Sequence, residues 1–165
     1  FEGLLILDAD ALNRISESKL GTKFFLERKF QTWITPHIKE FFRLFPHIKS
    51  ETNVGLALTA AEEFNISVLL KGANSIVADN KKAWQLYGTD SQTARAGLGD
   101  LLSGFVAGSS AIDLTFCRNI KTEFFAKYVL LHSFAASKCE TGSNASAIGD
   151  ELSKLMRKRK MRQIS

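Results

Sequence analysis

Three short apolar runs constrain this chain most, because each breaks off into polar residues and is followed by a helical pattern. Leu4-Leu5-Ile6-Leu7 ends in Asp8-Ala9-Asp10-Ala11-Leu12-Asn13, Thr32-Trp33-Ile34-Thr35 in Pro36-His37-Ile38-Lys39-Glu40, and Ser67-Val68-Leu69-Leu70 in Lys71-Gly72-Ala73-Asn74-Ser75. A run that is apolar throughout, rather than alternating, suits a strand buried on both faces, as in a parallel sheet. Open α/β sheets gather their ligands beyond the carboxyl ends of such strands. The pattern predicts an α/β fold with the first carboxylates, His37 and Lys71 on the ligand side.

Between and after these runs the periodicity turns helical. Val54, Ala57, Leu58 and Ala61 follow i, i+3, i+4, i+7 spacing and predict an amphipathic helix over residues 52–64. Pro36 suits the first turn of a helix carrying Phe41, Phe42, Leu44 and Phe45, where its missing N–H goes unneeded. Residues 17–31 read as a charged connector, and Ile76–Ala78 with Ala83–Tyr87 as a hairpin around Asp79-Asn80-Lys81-Lys82. Towards the end, Phe124, Tyr128, Leu131 and Ala135 line one helix face, and Ile148, Leu152, Leu155 and Met156 another, with Gly142-Ser143-Asn144 between them. His132 reads as a packed histidine within that cladding. There is no internal repeat or second domain, so residues 1–165 are expected to belong to one domain.

The chemistry concentrates in Ala94-Arg-Ala-Gly-Leu-Gly-Asp-Leu-Leu-Ser-Gly104. The small and apolar run Leu101–Ala111 reads as a helix, which puts Gly97 and Gly99 at its amino terminus. Backbone N–H groups there lack intrahelical partners, the macrodipole is positive, and glycine lets the chain approach a phosphate closely. Asp100 has two readings at this point: a base that takes a proton from an attacking hydroxyl while the Gly97–Gly99 amides hold phosphoryl oxygens, or an N-cap after a glycine turn. Lys71-Gly72 is likewise either a phosphate-reaching ammonium beside an open glycine or a solvated lysine beside a turn. Asp10 could cap the helix that begins near Ala11, His37 could be functional or incidental at its corner, and residues 88–96 read as a flexible lip.

Composition narrows the partners. The net charge of +5 owes much to Arg157-Lys158-Arg159-Lys160 and Arg162, with no aromatic residues interleaved, so nucleic acid is not an expected partner. No apolar run approaches the ~18–20 residues of a membrane span. Cys117 and Cys139 lack metal or redox spacing and read as reduced thiols in a cytoplasmic protein. The opening Phe1-Glu2-Gly3, with no initiator Met before the first strand, suggests that an amino-terminal part is absent.

Leu7–Leu12, Thr35–Glu40, Leu70–Ser75 and Gly97–Gly104, in this order, resemble the ADP/ATP-dependent NAD(P)H-hydrate dehydratases of the ribokinase-like superfamily. The resemblance runs through nearly the whole chain. It implies a ribokinase-like three-layer α/β/α sandwich, of which this chain is the carboxyl-terminal part. It implies repair of hydrated NADH or NADPH, with ADP favoured over ATP as the consumed nucleotide. By this resemblance Asp100 is the catalytic base and also touches the hydrate, as does His37. Lys71, Gly72, Ala73, Asn74 and Ser75, with Gly97, Leu98 and Gly99, bind the nucleotide. Magnesium would accompany the phosphates without a dedicated protein cage. Ile38 and Lys39 stand where the family usually has Pro-Gly, a change expected to bear on substrate affinity. Two other functions compete: a vitamin-alcohol kinase of the same superfamily, and a noncatalytic nucleotide-binding protein. Oligomeric state stays open, a homo-oligomer included.

Overall fold

The computed structural model describes residues 1–87, 97–117, 119–140 and 142–162, the last five of these by their backbone alone. They fall into two compact units, divided at Thr89 and Asp90.

The first unit holds a five-stranded sheet in the order β1-β2-β3-β4-β5. Strands β1 (Leu5–Leu7), β2 (Thr32–Ile34) and β3 (Ser67–Leu70) run parallel, with Leu7 opposite Ile34 and Ile34 opposite Val68. Strands β4 (Ser75–Ala78) and β5 (Ala83–Leu86) continue the sheet antiparallel, as the predicted hairpin requires. Helices α1 (Ala9–Glu17) and α2 (Lys23–Glu27) lead from β1 to β2, and α3 (Ile38–Leu44) and α4 (Asn53–Phe64) from β2 to β3. The connector over 17–31 is therefore not wholly irregular: α2 forms because Phe25 is buried among other aromatic rings.

Ile34, Val68, Leu70, Ile76 and Ala78 project from one sheet face into a core shared with Phe41, Phe45 and Phe64. Phe45 and Phe64 lie 4.9 Å apart, and Phe41 meets Phe45 edge-on at 5.1 Å, the offset geometry that ring quadrupoles favour. Trp33, Leu69 and Val77 alternate onto the opposite face and are also buried, which explains why these strands read as unbroken apolar runs. Strand β1, at the sheet's edge, is only half-buried. The buried stripe of α4 is Leu56, Ala57, Ala60, Ala61 and Phe64, rotated from the expected one so that Val54 and Leu58 sit at its margin. Three alanines on that stripe let the helix lie close to the sheet.

The second unit comprises α5 (Leu98–Leu114), α6 (Thr122–Ser137) and α7 (Ala145–Arg162). Leu98, Ala135, Ala136, Ile148 and Leu152 form its core. Helix α6 buries Phe125, Ala126 and Val129 as well as Tyr128 and Ala135, a broader face than expected, with Phe124 and Leu131 only partly covered. Tyr128 Oη donates to Asp113 Oδ2 at 2.5 Å, tying α6 to α5. Among the described residues no helix is long and apolar enough to cross a membrane.

His132 is packed, as expected, and its Nε2 finds no hydrogen-bond partner among the described residues. Burial lowers its pKa from 6.5 to about 4. The unfolded chain therefore binds the proton more readily, so the contribution of neutral His132 is intact above pH 6.5 and is lost as the pH falls towards 4. The loss amounts to about 3 kcal/mol. In urea titrations from pH 7 to pH 4, His132→Gln should lose less stability than the unsubstituted protein over that window; parallel pH profiles would refute the assignment.

Candidate functional site

In the first unit the parallel ladder is tied together just beyond its strands. The Thr35 N–H donates to the Leu7 carbonyl at 3.1 Å, and the Lys71 N–H to the Pro36 carbonyl at 2.9 Å. An isolated parallel bridge pairs His37 with Lys71. Asp8, His37 and Lys71 thus stand at the carboxyl ends of neighbouring strands, where the sequence placed them.

Lys71 Nζ lies 2.8 Å from Asp8 Oδ1, with the lysine side chain 25% and the aspartate 12% exposed. Asp8, not Asp10, is the N-cap of α1, its carboxylate accepting from the Ala9 N–H at 2.9 Å; Asp10 is an exposed residue of the first turn. Lys71 is therefore not a solvated side chain. After it the chain folds into a small turn, in which Ser75 Oγ accepts from the Gly72 N–H at 3.4 Å and donates to the Gly72 carbonyl at 3.2 Å. Ser75 is buried, whereas Gly72, Ala73 and Asn74 are exposed. A Cβ on Gly72 would meet nothing closer than the Asn74 carbonyl at 3.9 Å. The local fold does not need glycine there, which leaves room for a ligand as its reason.

His37 stands at the expected strand-to-helix corner, but Pro36 does not occupy the first helical turn. Helix α3 starts at Ile38, so His37 is its N-cap and Pro36 lies outside the helix. The reason is a reciprocal capping box: His37 Nδ1 accepts from the Lys39 and Glu40 N–H groups at 3.1 and 3.2 Å, and Glu40 Oε2 accepts from the His37 N–H at 2.8 Å. An imidazole that accepts at Nδ1 carries its ring proton on Nε2, here 3.4 Å from Glu40 Oε1. His37 remains about half exposed while Glu40 is buried. The role of Glu40 had a signal in the sequence, a carboxylate three residues after a cap position, but histidine is not the usual cap.

Gly97, Leu98, Gly99 and Asp100 belong to the second unit. Gly97 caps α5 with φ at 83°, in the left-handed region, and its carbonyl accepts from the Leu101 N–H at 2.9 Å. Helix α5 thus begins three residues earlier than expected, with Gly99 inside its first turn. No side chain of Gly97 can cap the helix, so the amides of Leu98, Gly99 and Asp100 open a 17-residue helix at its electropositive end without a side-chain cap. Asp100 is exposed at the third helical position, which removes the N-cap reading. The expected lip at 88–96 lies outside the described residues. Among the described residues no three His, Cys, Asp or Glu side chains converge on a metal-binding geometry.

A family model described as NAD(P)H-hydrate dehydratase matches residues 2–157. The chain belongs to the NAD(P)H-hydrate dehydratase family. It is 38% identical over 105 residues to a bifunctional NAD(P)H-hydrate repair enzyme of Synechocystis, covering 63% of this chain and 20% of that protein. It is 37% identical over 78 residues to an ADP-dependent (S)-NAD(P)H-hydrate dehydratase of Nitrosopumilus maritimus, covering 46% of this chain and 27% of that one. Among solved structures, a ribokinase-like superfamily protein of Enterococcus faecalis matches with a TM-score of 0.76 and 22% identity, over 94% of this chain and 52% of its own. The fold is ribokinase-like. The chain spans a fifth to a quarter of these curated relatives and about half of the solved one.

In this dehydratase-family chain, Glu40→Ala removes one half of the α3 capping box. Chemical denaturation should show a loss of about 0.5–2 kcal/mol. The His37 backbone N–H loses its acceptor, so its amide resonance should move, and an unchanged amide resonance would contradict the capping box.

Proposed function

We propose that this chain acts in the nucleotide-driven dehydration of the S-epimer of NADH or NADPH hydrate, with ADP preferred to ATP. Direct dehydration would expel hydroxide, a poor leaving group. In the proposed reaction the C6 hydroxyl oxygen attacks the terminal phosphorus of the nucleotide, giving AMP from ADP. The phosphate then departs with the C6–O bonding pair as the C5 proton is lost, restoring the ring's C5–C6 double bond.

The observation that carries this reading is the start of α5, where a carboxylate stands exposed in a helical turn opened by a left-handed glycine. Asp100 is assigned as the base that takes the hydroxyl proton, a role typically worth about 10²–10⁴ in rate. The amides that follow Gly97, those of Leu98 and Gly99, are assigned to the transferring phosphoryl oxygens, where one lost donor of this kind costs roughly 2.7–4 kcal/mol. Lys71 to Ser75 are assigned to the nucleotide, and His37, through Nε2–H, to the hydrate. Magnesium is expected to arrive with the nucleotide's phosphates. The free thiols of Cys117 and Cys139 suit the reducing cytoplasm in which such a repair would run.

The test supplies the intact protein with hydrated NADH and ADP or ATP and follows the return of dihydronicotinamide absorbance. Recovery should occur and should fall about 10²–10⁴-fold in Asp100→Asn. Undiminished recovery in that variant would remove the base, and a stable phosphorylated alcohol as product would favour the kinase alternative. Lys71→Ala should mainly raise the KM for nucleotide. Gly72→Val should do the same with little change in Tm, because no backbone or packing demand holds glycine at that position.

A further inference from the structure

We propose that Asp8 is an internal anion that competes with the nucleotide's phosphates for Lys71 and so sets how tightly nucleotide is held. The inference rests on the assignment of Lys71 to the nucleotide and adds a residue that the assignment does not contain.

Three observations carry it. First, the 2.8 Å contact between Lys71 Nζ and Asp8 Oδ1 is partly sheltered, with 25% and 12% of the two side chains exposed. Such a pair is screened less than one in open solvent. Second, helix capping alone does not account for the way Asp8 is held. An aspartate N-cap normally accepts from the second or third helical N–H. Asp8 accepts instead from Ala9, the next residue, whose φ of 45° lies in the left-handed region disfavoured for a residue with a Cβ. Backbone conformations of this kind persist where the surroundings over-determine them, commonly at functional sites. Third, the backbone of Lys71 is fixed by its bond to the Pro36 carbonyl, while its ammonium sits on a flexible four-carbon stem. The ammonium can pass from carboxylate to phosphate without any movement of the sheet.

A phosphate group carries more charge than a carboxylate and takes the ammonium when nucleotide is present. When phosphate leaves, the carboxylate recaptures it. Asp8 would then weaken nucleotide binding in the unsubstituted protein and assist product release. It is not a catalytic residue, since it acts through Lys71.

Titration calorimetry of the intact protein with ADP tests this. Asp8→Asn keeps an oxygen that can accept from Lys71 but removes the charge, and ADP should bind about threefold to tenfold more tightly. The gain should disappear when Lys71→Ala is added. Asp8→Ser, with a capping hydroxyl and no charge, carries the same expectation should the asparagine variant fold poorly. In the unsubstituted protein, the Asp8 side-chain ¹³C resonance should shift as ADP is added. A merely structural Asp8 would lower Tm and leave ADP affinity unchanged or weaker, and either result, or an unmoved resonance, overturns the inference. If Lys71→Ala alone leaves ADP affinity unchanged, the nucleotide assignment of Lys71 fails as well. If Lys71→Ala weakens binding and Asp8→Asn does not tighten it, only this inference falls.

Discussion

The parallel register of β1, β2 and β3 is the constraint on which the first unit depends. Because each crossover returns the chain to the same end of the sheet, every strand delivers its next residues to one edge. Pro36 then decides where pairing stops. It has no N–H to donate to the ladder, yet its carbonyl still accepts from Lys71, so β2–β3 pairing continues past Thr35, whose N–H bonds the Leu7 carbonyl. That continuation brings Lys71 level with His37 and within reach of Asp8, across the end of the central strand. An edge built this way inherits the rigidity of a sheet whose central strands are buried on both faces.

Much of this was legible in the sequence, for identifiable reasons. Strands β2 and β3 announced themselves because both of their faces are buried, which leaves no polar alternation to confuse the reading. The hairpin β4–β5 was marked by its polar turn, where Asp79 Oδ1 accepts from the N–H groups of Lys81 and Lys82. What was hidden depended on partners distant in sequence. The short helix α2 exists because Phe25 meets Phe45 and Phe64, residues that local periodicity does not connect to it. The Asp8–Lys71 pair joins residues 63 apart and follows only from the strand order. The stripe of α4 is wider than its local spacing predicts: Leu56, Ala60 and Phe64 join Ala57 and Ala61 in it, while Val54 and Leu58 pack at its margin.

Two glycines illustrate how a backbone requirement is separated from a functional one. At Gly97 the positive φ explains the residue without any ligand, since a side chain there would strain the start of α5. The electropositive character of that helix end then follows from helix geometry itself. At Gly72 neither conformation nor space demands glycine. The two positions sit in motifs of similar appearance, yet only Gly72 needs a reason from outside the fold, and the proposed nucleotide supplies one.

The same logic applies to Ile38 and Lys39, which depart from the family's usual Pro-Gly. In the structure they are the first two helical residues of α3, and the cap draws on the N–H groups of residues 39 and 40. Proline suits the first helical position because no N–H is needed there and its φ is preset, whereas isoleucine brings an N–H that the cap does not use. Lysine supplies the N–H of position 39 as glycine would. The remaining cost is a cation in the first turn of a helix, worth about 0.3–1 kcal/mol at low salt and less where the side chain is exposed, as that of Lys39 is. These two residues therefore add a positive charge beside His37 and leave the capping box intact, so what they change at this corner is its charge and not the position of the histidine.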